Sequence, residues 1–354
     1  MSKRIIIHCS TNAGTSNFGD VIFSEMILKH LQDSGYEASF YDVSDYLNNY
    51  LYEVKALHKD IVALQEADGA IYFAGGYFGE KKNERIDRSI RHYRRFMKYG
   101  ELVLKYHKPL AIIGIGAGPA LWYPSQRIVT KACNAASILT TRDNESADYL
   151  KSIGVSSPIR VCSDVAQTYS LPTGRQIKGV SVDESSEYIF LHTNYQQDVS
   201  DLFARSIKSY ISNHPNTRVI VGADNVVNID NAVQVAKNIL GNEKVLAYNY
   251  SEPDDLCALL NRCNLILTYK LHVGIISATL GRSVIAVSKH EKIQRYYKQI
   301  GEQDRCVDFV GCTSELLEGK VARYYGKGIS LNQQILNQAY ENWQLLDGFL
   351  ASLG

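Results

Sequence analysis

The sequence predicts an α/β protein built from two Rossmann-like, doubly wound domains that face a cleft. Short apolar segments rich in β-branched residues alternate with longer amphipathic segments along the whole chain, which is typical of parallel βα units. Polar or glycine-containing turns follow many of the apolar segments. At about 100–200 residues per domain, the 354 residues of the chain are enough for two domains.

A first series of predicted strands defines an N-terminal domain of residues 1–172. The predicted strands are Arg4–His8, Ala38–Tyr41, Ala70–Ala74, Leu110–Ile115, Ser137–Thr141 and Ile159–Val161. Helical patterns separate them, and Asp20–Asp33 has the apolar spacing of an amphipathic helix.

The periodicity disappears between Val165 and Glu187, where Ser, Pro, Gly and charged residues dominate, and residues 173–187 are predicted to be a linker. A second alternating series predicts a C-terminal domain of residues 188–328. Its predicted strands are Tyr188–His192, Arg218–Val221, Lys244–Leu246, Leu265–Thr268 and Ser283–Val287. The last predicted helix, Asn332–Ser352, lies in residues 329–354, and we expect it to pack across both domains.

Composition excludes several classes of protein. Hydrophobic residues make up 45% and charged residues 21% of the chain, and a net charge of +1 does not favour a nucleic-acid partner. The seven cysteines lack Cys-x-x-Cys spacing, which indicates reduced thiols and a cytoplasmic location. The apolar run Ile5–Ile7 is too short for a signal peptide. No His, Asp and Glu cluster has metal-site spacing, so no metal or other cofactor is expected.

The segment Asn264–Lys289 contains the most informative junction. Its apolar strand ends at Lys270 and His272, where a helix of small residues begins. Ligands of open α/β sheets bind at the carboxyl ends of strands, and helix starts attract anions. We therefore expect Lys270 to bind an anion and His272 to transfer protons, although a lone histidine is often structural. Lys292, in the next helix, is a further candidate for substrate binding or merely a surface cation.

Arg142 occupies the equivalent position at a junction in the first half of the chain. The arginine fork suits planar recognition of carboxylate or phosphate. A structural ion pair with Asp143 or Asp164 is the alternative interpretation. Cationic junctions in both halves predict that the cleft holds a small, multiply charged anion.

Glycines follow two neighbouring predicted strands of the first half. Gly75 and Gly76 come after one strand and Gly116 after the next, where they would let the backbone approach a ligand closely. Tight packing alone is the alternative. The second segment is not a dinucleotide fingerprint, because Pro119 stands where the third glycine of G-x-G-x-x-G belongs.

The turn after the first strand is long and polar, and it ends with Asn17, Gly19 and Asp20 at a helix start. These residues are candidates for substrate binding because the turn exceeds the usual 2–6 residues. A simple helix cap explains Asn and Asp equally well.

Four cations share one face of a predicted helix at three- and four-residue spacing: Arg88, Arg91, Arg95 and Lys98. A solvated face is the ordinary explanation. Peripheral contact with anionic lipids of the inner membrane face is the alternative, and each cation would contribute about 1 kcal/mol.

The motifs, taken in order, resemble the polysaccharide pyruvyl transferase family over nearly the whole chain. They are NFGD, AGGYFGE, GIGAGP, TRDNESADYL, SDVA and ILTYKLHVGIISATLGRSVIAV, with Lys292 behind the last.

The resemblance implies a fold like the GT-B glycosyltransferases, phosphoenolpyruvate as donor, and a glycan or lipid-linked oligosaccharide as acceptor. The product would be a pyruvate ketal on a sugar of a cell-surface polysaccharide or its precursor. The family arginine falls on Arg142, and its Arg-Leu-His falls on Lys270, Leu271 and His272. Two departures are Lys270 in place of arginine and Val273 in place of a common glycine.

Two other functions remain open from the sequence. One is a GT-B glycosyltransferase that uses a nucleotide sugar, although the Glu-x7-Glu pair of many such enzymes does not occur. The other is a non-catalytic relative that binds a glycan or an anion. Measured turnover separates it from the two enzymes.

Overall fold

A computed structural model describes residues 2–9, 16–172, 174–175, 177–194 and 197–354. The chain forms two compact units. The first contains the N-terminal strand, Gly19–Thr168 and Gln334–Gly354, and the second contains Ser16–Phe18 and Tyr169–Gln333.

The first unit is built on a six-stranded parallel sheet in the order β2-β1-β3-β4-β5-β6. The strands are β1 (Arg4–His8), β2 (Glu37–Phe40), β3 (Gly69–Phe73), β4 (Leu110–Ile115), β5 (Ile138–Thr141) and β6 (Arg160–Val161). The helices are α1 (Phe18–Asp33), α2 (Asp45–Asn49), α3 (Ile86–His92), α4 (Lys98–Lys105), α5 (Tyr123–Ala135) and α6 (Asn144–Ser152). Short helical turns occupy Tyr50–Val54, Leu64–Glu66, Tyr93–Met97 and Val165–Thr168.

The second unit has its own six-stranded parallel sheet, in the order β12-β11-β10-β7-β8-β9. The strands are β7 (Glu187–His192), β8 (Thr217–Gly222), β9 (Val245–Tyr248), β10 (Leu265–Thr268), β11 (Val284–Ser288) and β12 (Cys306–Asp308). The helices are α7 (Gln197–Asn213), α8 (Asp230–Leu240), α9 (Pro253–Arg262), α10 (Leu271–Thr279), α11 (Glu291–Gln299) and α12 (Ser314–Tyr324). Short turns occupy Asn242–Lys244 and Gln303–Arg305.

Central strands in both sheets are almost entirely apolar. All residues of β3 and β4 are buried in the first unit, as are those of β10 and β11 in the second. Continuous apolar runs are expected when helices cover both faces of a parallel sheet. Polar residues can then reach solvent only beyond the strand ends, which is where the candidate site residues lie.

The prediction of two Rossmann-like α/β domains is confirmed by these sheets. Each predicted strand is present with its ends shifted by no more than about two residues, the usual uncertainty of boundaries. Strand β12 was not predicted. The cleft and the boundaries at residues 172 and 188 stay predictions, and Thr173 and Gln176 of the predicted linker lie outside the described residues.

The last helix, α13 (Gln333–Ser352), makes specific contacts with the first unit. Asn342 is fully buried, and its side-chain amide donates to the backbone carbonyl of Ser163 at 2.9 Å. The indole N–H of Trp343 donates to the Thr168 hydroxyl at 2.9 Å. These contacts attach the helix to the first unit, and packing across both domains stays a prediction.

The basic helix differs from its sequence prediction. A π-helical turn, Tyr93–Met97, separates α3 from α4, so the four cations are spread over three helical segments. Arg88, Arg91 and Lys98 are exposed, but Arg95, which lies within the turn, is half-buried, and burial lowers the pKa of its guanidinium. The four cations therefore do not form one fully solvated face, since Arg95 is partly buried. Membrane contact stays a prediction, and among the described residues no helix is long and apolar enough to cross a membrane.

Candidate functional site

Each sheet has a point where the chain reverses its direction of winding. In the first sheet, β2 and β3 flank β1, and in the second sheet, β8 and β10 flank β7. Open α/β sheets bind ligands in the crevice beyond the strand ends at such points. In the second sheet Lys270 and His272 follow β10, one of the two strands that border this point.

Arg142 follows β5 in the first unit and is only 7% exposed. Its Nη1 atom lies 3.5 Å from Oδ2 of Asp164, and its Nε atom lies 3.7 Å from Oδ2 of Asp143. Both ion pairs considered from the sequence are therefore present. They do not exclude a ligand, because a guanidinium has five N–H donors.

Glycines make the room that the Arg142 side chain occupies. A Cβ atom on Gly116 would lie 2.7 Å from Nη2 of Arg142, and one on Gly76 would lie 3.5 Å from the same atom. The backbone N–H of Gly116 donates to the carbonyl of Gly75 at 2.8 Å. The structure thus brings together four predicted site residues, three glycines and Arg142, at the carboxyl ends of β3, β4 and β5.

The two carboxylates beside Arg142 have different roles. Asp143 caps α6 by accepting a hydrogen bond from the backbone N–H of Ser146 at 2.7 Å. Asp164 is 4% exposed, and burial raises the pKa of its carboxyl although Arg142 opposes the shift. The Arg142 guanidinium therefore has a buried carboxylate as its partner. Such support suits a residue that must present its N–H donors in one orientation.

The junction in the second unit has the predicted form. Strand β10 ends at Thr268, Lys270 is the extended N-cap residue, and α10 begins at Leu271. The backbone N–H of Lys270 donates to the Thr268 hydroxyl at 3.0 Å. The Leu271 side chain is buried, His272 is half-buried, and the Lys270 side chain is 34% exposed.

A buried polar cluster beside Lys270 was not predicted. Asp224, two residues beyond β8, places Oδ2 3.8 Å from Nζ of Lys270. Its Oδ1 atom lies 3.2 Å from Nε2 of His192 and accepts a hydrogen bond from the Asn194 amide at 2.9 Å. His192 is the last residue of the apolar strand β7 and Asn194 lies two residues beyond it, so the rule that selected Lys270 would also have selected them.

The charges of this cluster stabilise the ionised form of Asp224. Burial raises the pKa of the carboxyl, but the positive charge of Lys270 and the interaction with His192 outweigh burial and lower the pKa to about 2. Asp224 is therefore an anion at neutral pH, and Lys270 lies beside a fixed negative charge.

Three further predicted site residues, Asn17, Gly19 and Asp20, lie at the start of α1. Asn17 is half-buried in the second unit, and the neighbouring Phe18 donates its backbone N–H to the carbonyl of Asp224 at 3.0 Å. Gly19 and Asp20 lie in the first turn of α1 and belong to the first unit. Residues 10–15, which precede them in the chain, lie outside the described residues.

Lys292 is exposed in the first turn of α11. Its role in substrate binding stays a prediction. The nearby Lys289 instead pairs with Asp198 at 3.0 Å. Among the described residues no group of three or more His, Cys, Asp or Glu side chains is arranged to hold a metal ion.

Solved structures share the fold at low sequence identity. The S. aureus MnaA–UDP co-structure aligns with a TM-score of 0.65 and 11% identity over 100% of this chain and 98% of that chain. The UDP-GlcNAc 2-epimerase of Methanocaldococcus jannaschii aligns with a TM-score of 0.64 and 12% identity over 98% of this chain and 100% of that chain. The Neisseria meningitidis UDP-GlcNAc 2-epimerase bound to UDP-GlcNAc aligns with a TM-score of 0.61 and 12% identity over 98% of this chain and 100% of that chain. These similarities establish a GT-B-like fold and nothing more specific.

A comparison with curated proteins returned no match in sequence. The sequence model of the polysaccharide pyruvyl transferase family, in contrast, matches residues 17–291. That span contains Arg142 and the junction at Lys270, and it covers most of both units. The chain belongs to the polysaccharide pyruvyl transferase family.

Proposed function

We propose that this protein transfers the pyruvate group of phosphoenolpyruvate to a sugar of a cell-surface polysaccharide or its precursor, and that the product is a pyruvate ketal. The observation that carries the proposal is the family match over residues 17–291, which includes both cationic junctions. The acceptor is a glycan or a lipid-linked oligosaccharide.

The donor has two anionic groups, a carboxylate and a phosphate, and each requires a cation or a helix start. Arg142 would bind one of these groups and Lys270 the other. Arg142 has the bidentate fork that matches either group, whereas Lys270 supplies a point charge at the start of α10.

The proposed reaction requires proton transfers and changes bonds at two carbon atoms of the donor, the methylene carbon and the central carbon. A proton is added to the methylene carbon of the donor while one sugar hydroxyl forms a bond to the central carbon and loses its own proton. Phosphate then leaves with its bonding electron pair, and a second hydroxyl of the sugar attacks the same carbon and loses its proton. His272, half-buried in the first turn of α10, is the proposed acid and base.

The departure at Val273 lies in the interior of the second unit. The Val273 side chain is 0% exposed and packs within the second unit. Its burial supports a valine that takes part in core packing rather than in direct contact with a ligand.

Incubation of the protein with phosphoenolpyruvate and candidate glycans tests the proposal. Phosphate release together with a glycan product that has gained a pyruvate ketal by mass is the expected result. UDP-GlcNAc in place of phosphoenolpyruvate is the control, and transfer from it alone would show a glycosyltransferase instead. Binding of a glycan without turnover of either donor would indicate a binding protein and contradict the proposal.

A further inference from the structure

The second unit contains a chain of polar contacts that ends at Lys270. Oδ2 of Asp224 faces Nζ of Lys270 at 3.8 Å. Oδ1 of the same carboxylate contacts Nε2 of His192 at 3.2 Å and the Asn194 amide at 2.9 Å. One oxygen of Asp224 is thus fixed by two neighbours, and the other is directed to the cation.

Exposure increases along this chain from the interior outward. The side chain of His192 is 0% exposed, that of Asp224 is 3% exposed, and that of Lys270 is 34% exposed. The carboxylate is therefore an immobile part of the core, whereas the ammonium is within reach of solvent and of a ligand.

The order of strands explains how these residues meet. Strands β10, β7 and β8 are neighbours in the sheet, and Lys270, His192 and Asp224 lie at or just beyond their carboxyl ends. Asp224 reaches from the β8 side across the end of β7 to the β10 side. The contact therefore spans the point of reversed winding, where ligands bind in open sheets.

We propose that Asp224 is a positioning residue that holds the Lys270 ammonium for an anionic ligand, and that His192 and Asn194 fix the carboxylate. Lysine is flexible and lacks the rigid fork of arginine, so its head group must be oriented by a neighbour. An ammonium has three N–H donors, and the contact with one carboxylate oxygen leaves donors for the ligand. The identity of that ligand as phosphoenolpyruvate rests on the proposed function.

Chemical labelling tests the Asp224–Lys270 contact without any ligand. The full-length protein and the Asp224→Asn variant are treated with acetic anhydride, and the acetylation rate of each lysine is followed by mass spectrometry. We expect Lys270 to react several-fold faster in the variant, because its amine is no longer held in an ion pair. The exposed Lys298 of α11 is the internal control and should react equally in both proteins. Equal rates at Lys270 would overturn the proposal.

A second variant covers the case in which Asp224→Asn does not fold, as judged by circular dichroism. Asn194→Ala removes one hydrogen bond to Oδ1 of Asp224 and keeps the carboxylate. Lys270 should again react faster than in the wild type, but by a smaller factor. An unchanged rate in a folded Asn194→Ala protein would contradict the role of Asn194.

Binding of phosphoenolpyruvate, measured by calorimetry, tests the consequence for the donor. Asp224→Asn should weaken binding about tenfold and raise KM more than it lowers kcat. The same change in a Lys270→Ala background should have little further effect, since the two residues act as a unit. Tighter binding by Asp224→Asn would show that the carboxylate competes with the ligand and would overturn the proposal. If the wild type binds no phosphoenolpyruvate, the proposed donor is wrong, and the labelling result still decides the role of Asp224.

Discussion

The Nη2 atom of Arg142 lies only 2.7 Å from the position that a Cβ atom on Gly116 would occupy. Real Cβ atoms do not approach polar atoms so closely, and the neighbouring Cζ and Nε of the same guanidinium would be at 2.8 Å. Arg142 is also held by Asp143 and Asp164. The absence of a side chain at position 116 is therefore a condition for the present orientation of the arginine.

Gly116→Ala is predicted to displace the Arg142 guanidinium and to weaken phosphoenolpyruvate binding. The affinity should fall by about tenfold or more, because this corresponds to the loss of one charge-assisted hydrogen bond. Calorimetry measures the affinity. Gly348→Ala is the matched control, because a Cβ atom at this α13 position meets nothing within 4 Å. The control should bind the donor normally. Normal donor affinity in folded Gly116→Ala would show that Arg142 can move without consequence.

Arg142→Ala is predicted to weaken binding of phosphoenolpyruvate by one to two decades while acceptor binding changes little. Charge-assisted hydrogen bonds contribute roughly 1.5–3 kcal/mol each, which corresponds to this range. Both affinities are measured by calorimetry. Arg160→Ala, which removes an exposed arginine paired with Glu341, is the control. Unchanged donor affinity in Arg142→Ala would leave Arg142 as an ion-pair partner only.

His272→Ala is predicted to keep the fold and to lower transfer by about two orders of magnitude or more, the usual loss when a general acid or base is removed. The readout is the rate of phosphate release at saturating donor. His214→Ala, a change at an exposed histidine of the same unit, should retain activity. Near-normal turnover in a folded His272→Ala protein would remove His272 from the mechanism.

Asp224→Asn is predicted to change the pH dependence of stability. The pKa of Asp224 is lowered from 3.8 to about 2, so the ionised carboxylate stabilises the folded protein above pH 4, and this contribution is lost as the pH falls toward 2. The wild type should exceed the variant in free energy of unfolding by about 2 kcal/mol at pH 7. Chemical denaturation at several pH values measures the difference.

That difference should shrink below pH 4 and vanish below pH 2, where the wild-type carboxyl is itself protonated. Asp230→Asn, a change at an exposed carboxylate of the second unit, is the control, and its effect should not follow this pattern. A pH-independent difference for Asp224→Asn would mean that packing, rather than charge, explains the change.

The strands of both sheets and the two cationic junctions could be predicted from the sequence, because apolar strands and the polar residues at their ends are local patterns. Strand β12 was missed because it has three residues at a sheet edge, too few to show a periodicity. The π-helical turn that contains Arg95 was missed because such a turn cannot be distinguished from a regular helix in the sequence.

The contact between Asp224 and Lys270 could not be predicted for a different reason. The two residues are separated by 46 positions in numbering, and they meet only because β8, β7 and β10 are neighbours in the sheet. Strand order is a property of the folded unit. The sequence shows a polar residue after each of these strands. It does not show which of these residues lie next to one another at the edge of the folded sheet.

The final prediction concerns the lysine that replaces the family arginine. If the site binds the same donor, Lys270→Arg should be tolerated or should tighten phosphoenolpyruvate binding, because a guanidinium can contact both Asp224 and the donor. Lys270→Ala and Lys270→Glu should abolish turnover, since the first removes the cation and the second places a negative charge beside Asp224. If lysine instead reflects a different donor or pocket, arginine should reduce activity about as far as alanine does. Steady-state kinetics with phosphate release as the readout distinguishes these outcomes. Lys298→Ala, a change at an exposed lysine of α11, is the control, and wild-type kinetics in Lys270→Ala would show that this cation is not part of the site.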